Sequence, residues 1–467
     1  MNTRIEHDLL GEMTLPIETW YGIQTQRAVD NFAITGVPLH HFPAFIRALA
    51  TVKAAAAHAN QELDLLAPHK AQAILDACTD IINGHLHEAF VVDMIQGGAG
   101  TSTNMNANEV IANLALAKLG YPKGTYAHLH PNDDVNRSQS TNDAYPTAVR
   151  LALQFAVEPL IEAVHGLKQA LQAKGQEFAD VIKMGRTQMQ DAVPMTLGME
   201  FDAFAVTLEE DIDRLHETCR LLCEVNLGGT AIGTGINTHP DYAALAVQHL
   251  ARLSGKPIVS AKNLVEASSD MGAFVLFSAV LKRLAIKLSK MANDLRLLSS
   301  GPRTGIGEIN LPPMQPGSSI MPGKVNPVIP EAVNQTAYQV IGNDLAVTMA
   351  AESGQLELNA MEPLIAYNLL SSINLLTAAC QMLDERCIRG IRADRAQCLA
   401  HVERSIGVIT ALVPHIGYSN ASRIAAQALH SGDTVRTLVL REGLLSETKL
   451  DALLCPQSMF NTTGSST

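Results

Sequence analysis

From Met271 to Leu298 the chain reads MGAFVLFSAVLKRLAIKLSKMANDLRLL, and this stretch decides the fold class. Wound at about 3.6 residues per turn it is apolar on more than one face, so neighbours must cover it on several sides. Its Lys and Arg residues recur at spacings of three to four and leave only a narrow wet stripe. A helix of that kind belongs in the middle of a large bundle, one completed by oligomerisation. Outward from it, helical patterns between Gly and Pro punctuation cover Ala44–Glu62, Ala71–Asn83, Ala148–Ala173, Thr196–Val225, Val265–Leu298, Glu331–Glu352 and Glu362–Ile391. Shorter helices run from Asp394 onward. Hydrophobic residues make up 47% of the 467 residues and aromatics only 4%, which suits packed helices better than strands. The expectation is a mainly α protein in three regions: an N-terminal helical domain (1–143), a central bundle (144–393) and a small helical C-terminal domain (394–467).

The formal net charge of -12 argues against nucleic acid as a partner, because phosphate binding needs a clustered basic face. It also sets a condition on any dianionic substrate: its site must supply a local cation and many donors against an unfavourable field. Seven scattered cysteines (78, 219, 223, 380, 387, 398 and 455) form no Cys-x-x-Cys pair and read as reduced thiols of a cytoplasmic protein. Glu6, His7 and Asp8 stand where a signal peptide needs an apolar core. Without a run of about 18 uninterrupted apolar residues, no membrane span is expected.

Four segments rich in Gly, Ser, Thr and Asn lie between the helices, where chemistry tends to sit. They are Gln96–Asn106, His130–Asp143, Gly185–Asp191 and Gly317–Pro327. The fourth combines adjacent hydroxyls (Ser318, Ser319), two glycines, Lys324 and Asn326. A serine hydroxyl is a poor base until donors or the local potential activate it, and glycines let backbone N–H groups converge on an oxyanion. Lys324 is a compact cation suited to a carboxylate. The competing reading is a solvated turn. Thr101, Ser140, Thr141, Asn142, Thr187 and Gln188 are short neutral donors in the other three segments. They could bind a carboxylate, although Ser140, Thr141 and Asn142 immediately precede a helical pattern and could equally cap it.

Gly317-Ser-Ser-Ile-Met-Pro-Gly-Lys-Val-Asn-Pro327 resembles the signature G-S-S-x-M-P-x-K-x-N-P of the aspartase/fumarase superfamily, and the other three segments follow in that family's order. The resemblance runs from about Trp20 to about Ser446. Within the superfamily the chain looks closer to aspartases than to fumarases: Thr141–Thr147 reads TNDAYPT, and Gly185-Arg-Thr-Gln188 stands where fumarases have Gly-Arg-Thr-His. The resemblance implies a mainly α, three-domain fold with a long central helical bundle. It implies a homotetramer whose active sites are shared between subunits, with no metal, nicotinamide or flavin as a catalytic group and a regulatory divalent cation left open. It also implies reversible anti-elimination of ammonia from L-aspartate through an aci-carboxylate, giving fumarate. By position, Ser318 takes the Cβ proton. Thr101, Ser140, Thr141 and Ser319 surround the β-carboxylate, Lys324 and Asn326 hold the α-carboxylate, and Asn142, Thr187 and Gln188 lie near the amino group. Fumarate hydration and a non-catalytic role on the same scaffold are the alternatives.

Other signals carry less. Gly97–Gly100 and Gly228–Gly235 invite a nucleotide reading, but neither gives G-x-x-x-x-G-K-[ST] or opens a βαβ unit. His85-Leu-His87 has metal-like spacing with nothing to complete a site. Glu331 reads as a residue of the next helix's first turn, favoured there by the dipole. Arg27 reads as a structural ion pair.

Overall fold

The computed structural model describes residues 2–454; Met1 and residues 455–467, with Cys455 and the end of the expected C-terminal domain, lie outside them. In chain order the chain forms strands β1 (Thr3–Asp8) and β2 (Gly11–Pro16), then helices α1 (Ile23–Asn31), α2 (Pro43–Glu62), α3 (Pro68–Ile82), α4 (Thr101–Lys118) and α5 (Thr141–Glu177). Strands β3 (Ile182–Thr187) and β4 (Gln190–Thr196) precede α6 (Leu197–Leu221), α7 (Tyr242–Ser254), α8 (Gly272–Leu298), α9 (Val328–Glu352) and α10 (Glu362–Arg386). Five shorter helices follow: α11 (Arg395–Arg404), α12 (Ile409–Ile416), α13 (Tyr418–Ser431), α14 (Val435–Arg441) and α15 (Glu447–Leu453). The protein is mainly α.

All seven expected long helices form, with shifted ends. α5 begins at Thr141 rather than after Asp143, and α8 begins at Gly272, since Glu266–Ser268 is a separate 3-10 turn. Two segments read as loops are regular structure. Thr101–Asn106 belongs to α4, and Gly185–Asp191 lies in the antiparallel β3–β4 hairpin. In α8, Phe274, Phe277, Leu281, Leu284, Leu288 and Leu295 are buried, whereas Leu276 and Ile286 are about half exposed (48% and 50%). One chain therefore leaves part of this helix uncovered. Residues Glu362–Gly390 are long and apolar enough to span a membrane, but 61% of the most apolar window is buried within the protein, as in a core helix.

Contacts divide the chain into two units. The first comprises Met1–Ile161, Asp213–Ala285 and Tyr338–Leu376. Its organising helix is α4, which buries Asn104, Asn106, Asn108, Glu109 and Asn113. Buried polar groups need partners; Asn108 turns to Met105 Sδ on its own helix, whereas Asn106, Asn113 and Glu109 find theirs outside it. Asn106 accepts from Val91 N–H and donates to Ala89 C=O; Asn113 donates to Trp20 C=O and accepts from Gly124 N–H. Glu109 accepts the N–H groups of Gly22, Gln24 and Thr25 and the Thr25 hydroxyl, closing the start of α1 onto α4. Arg27 makes a two-point ion pair with Asp8 at 2.7 and 2.9 Å, which is the structural role read for it.

The second unit comprises Glu162–Ile212, Ile286–Ala337 and the chain from Thr377 onward. It holds the β3–β4 hairpin, the Gly317–Pro327 loop and α11–α15, whose apolar cluster includes Met184, Leu412, Ile424, Leu438 and Leu450. Glu331 is exposed in the first turn of α9, as read.

Candidate active site

In the first unit, Thr101, Ser140, Thr141 and Asn142 all sit at helix N-termini, where unpaired N–H groups favour anions. Thr101 opens α4 after Gly100, whose φ is +90°. A Cβ on Gly100 would lie 2.5 Å from the buried Tyr145 ring, so only glycine fits. The Thr101 hydroxyl donates to Gly98 C=O at 2.7 Å and must rotate to reach a substrate. Ser140 caps α5: its Oγ accepts from Asn142 N–H at 3.2 Å, and Asp143 accepts from Ser140 N–H at 2.9 Å. The capping reading is thus realised, and it leaves the Ser140 hydrogen to donate elsewhere.

Asn142 is pinned from both ends. Its amide donates to Ala231 C=O at 2.8 Å, and its own C=O accepts from Asn226 Nδ2 at 2.9 Å. Pro146, one turn on, has no N–H to give that carbonyl, which is why a side chain takes it. The Gly228-Gly-Thr segment that suggested nucleotide binding wraps Asp143 instead, with Gly228 and Thr230 N–H donating at 3.0 and 2.9 Å. Burial pushes Asp143 up to about 6, against these bonds and the field of Lys53.

Lys53 was not singled out by the sequence reading. It is completely buried on α2, and its ammonium reaches three amide oxygens: Asn104 Oδ1 at 2.7 Å, Asn136 Oδ1 at 2.9 Å and Gln139 Oε1 at 2.9 Å. Burial pushes it down to about 7, with Asp143 and Cys78 pulling the other way. Asn104 donates in turn to Thr141 Oγ1 at 3.1 Å. The available signal was a lone cation within ALATVKAAAA, residues 48–57. A cavity of about 720 Å3 adjoins the His130–Asp143 segment, with Asn136, Arg137, Ser138 and Gln139 among its lining.

In the second unit, Ser318, Ser319, Lys324 and Asn326 share one loop. Ile320 and Met321 N–H donate to Ser318 Oγ at 3.2 and 3.1 Å, two dipoles aimed at the proposed base. Gly317 N–H donates to Lys324 C=O at 2.8 Å and Asn326 Nδ2 to Gly317 C=O at 2.7 Å, so Asn326 also braces the loop. A Cβ at Gly317 would lie 2.5 Å from Lys324 O. Ser319 and Lys324 are exposed. Thr187 and Gln188 are exposed at the tip of the β3–β4 hairpin, where Gln188 and Met189 both have positive φ (52° and 64°). Two-residue hairpin turns of that shape usually use Asn-Gly. Carrying two long side chains there is strained backbone of the sort that gathers at functional sites.

Below this tip lies a charged cluster that the sequence reading also missed. Glu308, fully buried, meets Arg186 at 2.8 Å, His401 at 3.0 Å and Lys183 at 3.2 Å. Lys183 also pairs with Glu200 at 2.6 Å. Glu308 thereby fixes both ends of the Lys183–Arg186 strand segment. The six cysteines within the described residues are free.

A family model described as "Lyase" matches residues 11–342, and one described as "Fumarase C C-terminus" matches residues 408–461. The chain belongs to the aspartase/fumarase lyases. A relative from Pseudomonas canavaninivorans, named aspartate ammonia-lyase, is 64% identical over 458 residues, covering 98% of this chain and 97% of its own. A Brucella melitensis structure titled fumarate lyase:delta crystallin bound to cobalt is 60% identical, with TM-score 0.96 over 98% of this chain and 100% of its own. The class II fumarase of Schistosoma mansoni is 34% identical, with TM-score 0.91 over 98% and 99%. Aspartase/fumarase lyases therefore provide the fold over nearly the whole chain, and the aspartase-named relative stands much nearer in sequence than that fumarase.

Proposed function

We propose that this chain is an aspartate ammonia-lyase that interconverts L-aspartate with fumarate and ammonia, using Ser318 as the base. The observation that carries the reading is the pair of backbone N–H groups on Ser318 Oγ, in a loop whose relatives at 64% identity bear that name. Two donors favour the alkoxide over the neutral hydroxyl. The alkoxide removes a Cβ proton, the C–H electrons pass into the adjacent carboxylate as an aci-carboxylate, and their return expels the amino group as ammonia. Donors aimed at the developing charge supply most of the rate, at about 10²–10³ in turnover for each one lost.

In this reading Thr101, Ser140, Thr141 and Ser319 take the β-carboxylate, Lys324 and Asn326 the α-carboxylate, and Asn142, Thr187 and Gln188 the amino group. Gln188 can hydrogen-bond but cannot act as an acid. That suits a substrate ammonium group, which departs as neutral ammonia with no further proton, and not a hydroxyl departing as hydroxide. We read the working form as a homotetramer with sites shared between subunits, in the cytoplasm. Tyr338, Ile341, Leu345 and Met349 support the assembly: spaced by three and four along α9, they are 36–63% exposed, an apolar stripe suited to a second helix. The six free thiols suit the compartment. The domain reading stays at 1–143, 144–393 and 394–467.

Purified full-length protein supplied with L-aspartate should release fumarate, read by ultraviolet absorbance, and Ser318→Ala should abolish this with unchanged circular dichroism. Fumarate from L-malate alone would establish hydration instead, and Ser318→Ala at full speed would remove the serine from its role.

A further inference from the structure

We infer that Lys53, acting through Asn104, is a positioning residue that holds the Thr141 hydroxyl as a hydrogen-bond donor to a substrate carboxylate. The inference rests on the reading of Thr141 as a carboxylate ligand and adds the device that makes it one.

A threonine hydroxyl can donate or accept, and a carboxylate accepts only. Something must therefore decide the direction of the Thr141 hydrogen. The chain of contacts leaves a single solution. An ammonium has three hydrogens and no lone pair, and Lys53 Nζ faces three amide oxygens at 2.7–2.9 Å. A neutral amine would leave one of those oxygens without a proton, so this setting favours the ammonium against the burial that lowers it.

Facing an ammonium, Asn104 must present Oδ1, and its NH2 group must point the other way. Both of its hydrogens are then placed, one toward Asn136 Oδ1 at 3.1 Å and one toward Thr141 Oγ1 at 3.1 Å. Thr141 Oγ1 accepts that bond, and among the described residues no acceptor takes its own hydrogen. That hydrogen is left at the N-terminus of α5, beside Ser140, whose Oγ is likewise engaged as an acceptor by Asn142 N–H. Two neighbouring hydroxyls are thus both set to donate. The arrangement also places a buried cation behind neutral ligands, partly meeting the need of a dianion in a chain of charge -12.

The informative change is Asn104→Asp. A carboxylate keeps Lys53 paired, so the fold should hold, but it cannot donate to Thr141 and instead captures the Thr141 hydrogen. The assay is calorimetric binding of succinate, an unreactive dicarboxylate, to the full-length protein, with aspartate turnover measured in parallel. Asn104→Asp and Thr141→Ala should each weaken succinate binding by about 10- to 100-fold with melting temperature retained. The double variant should be no weaker than either single one, because both remove the same bond. Lys53→Met, which frees the Asn104 amide to flip, should weaken binding to a similar degree. Wild-type affinity in Asn104→Asp would overturn the proposal. So would multiplying losses in the double variant, which would mean a through-space charge effect independent of Thr141. Absence of succinate binding by the wild type would overturn it as well, by removing Thr141 as a carboxylate ligand. Succinate binding with the expected coupling but no fumarate from aspartate would leave the relay standing and refute the assigned reaction.

Discussion

Arg186 donates to the fully buried Glu308 at 2.8 Å, and this bond lies directly under the hairpin tip that carries Thr187 and Gln188. Burial raises the Glu308 carboxyl, but the Arg186 bond, the Lys183 charge and the His401 bond outweigh it and hold it below the ordinary 4.5. Replacing Glu308 with Ala leaves Lys183 and part of Arg186 as buried cations without their shared partner. Stability should fall by about 3–5 kcal/mol in denaturant titration. A depressed carboxyl contributes stability that is present above its unfolded value and lost as pH falls through the folded one. Glu308→Gln should therefore lose least relative to wild type in acid and most at neutral pH.

Glu362 titrates with the opposite sign. Burial pushes it up to about 8, and the Arg150 field pulls only weakly against that. Among the described residues its Oε1 has no hydrogen-bond partner. A raised carboxyl contributes stability that is complete below about 4.5 and lost as pH rises through 8. Glu362→Gln should match wild type near pH 5 and exceed it at pH 9, by on the order of 3–5 kcal/mol. Thermal melts at the two pH values check this; equal gaps at both would refute it.

Gly100→Ala combines a left-handed backbone with a methyl group driven into the Tyr145 ring. Strain and overpacking together should cost about 2–5 kcal/mol. Because Gly100 is the residue before Thr101, turnover of aspartate should fall further than stability alone explains. The check compares kcat/KM at 15 °C, where the variant stays folded, with its melting temperature.

In the role proposed for Gln188, Gln188→His supplies a proton donor to a departing hydroxide. Histidine is among the side chains that tolerate positive φ, so the tip should keep its shape. The variant should gain fumarate production from L-malate while retaining activity on aspartate. No gain would count against the role given to Gln188.

The long helices were legible because apolar periodicity is local, and α2, α8 and α10 follow it closely. The Gly317–Pro327 loop was legible because its residues are contiguous. What escaped was held by distant partners. α4 carries asparagines at 104, 106 and 113, which resemble loop composition until Lys53, Ala89 and Trp20 supply their bonds. The β3–β4 hairpin was hidden because its tip lacks Gly and Asn, the residues that announce such turns. Lys53 and Glu308 act through neighbours 51 to 125 residues away, so no spacing rule reaches them: Lys53 bonds Asn104 at a separation of 51, and Glu308 pairs with Lys183 across 125 positions (308 − 183).

Asp143 anchors the start of α5 to Gly228 and Thr230, 85 and 87 positions later. A nascent polypeptide emerging from the ribosome therefore carries Ser140, Thr141 and Asn142 long before the donors that seat their helix cap have been synthesised. Until then Asp143 lacks these two donors, and the three proposed ligands lack the anchor that seats their helix start. Competence to hold a dicarboxylate is in this sense a late product of translation, and a fragment ending before Gly228 should possess the residues without the grip.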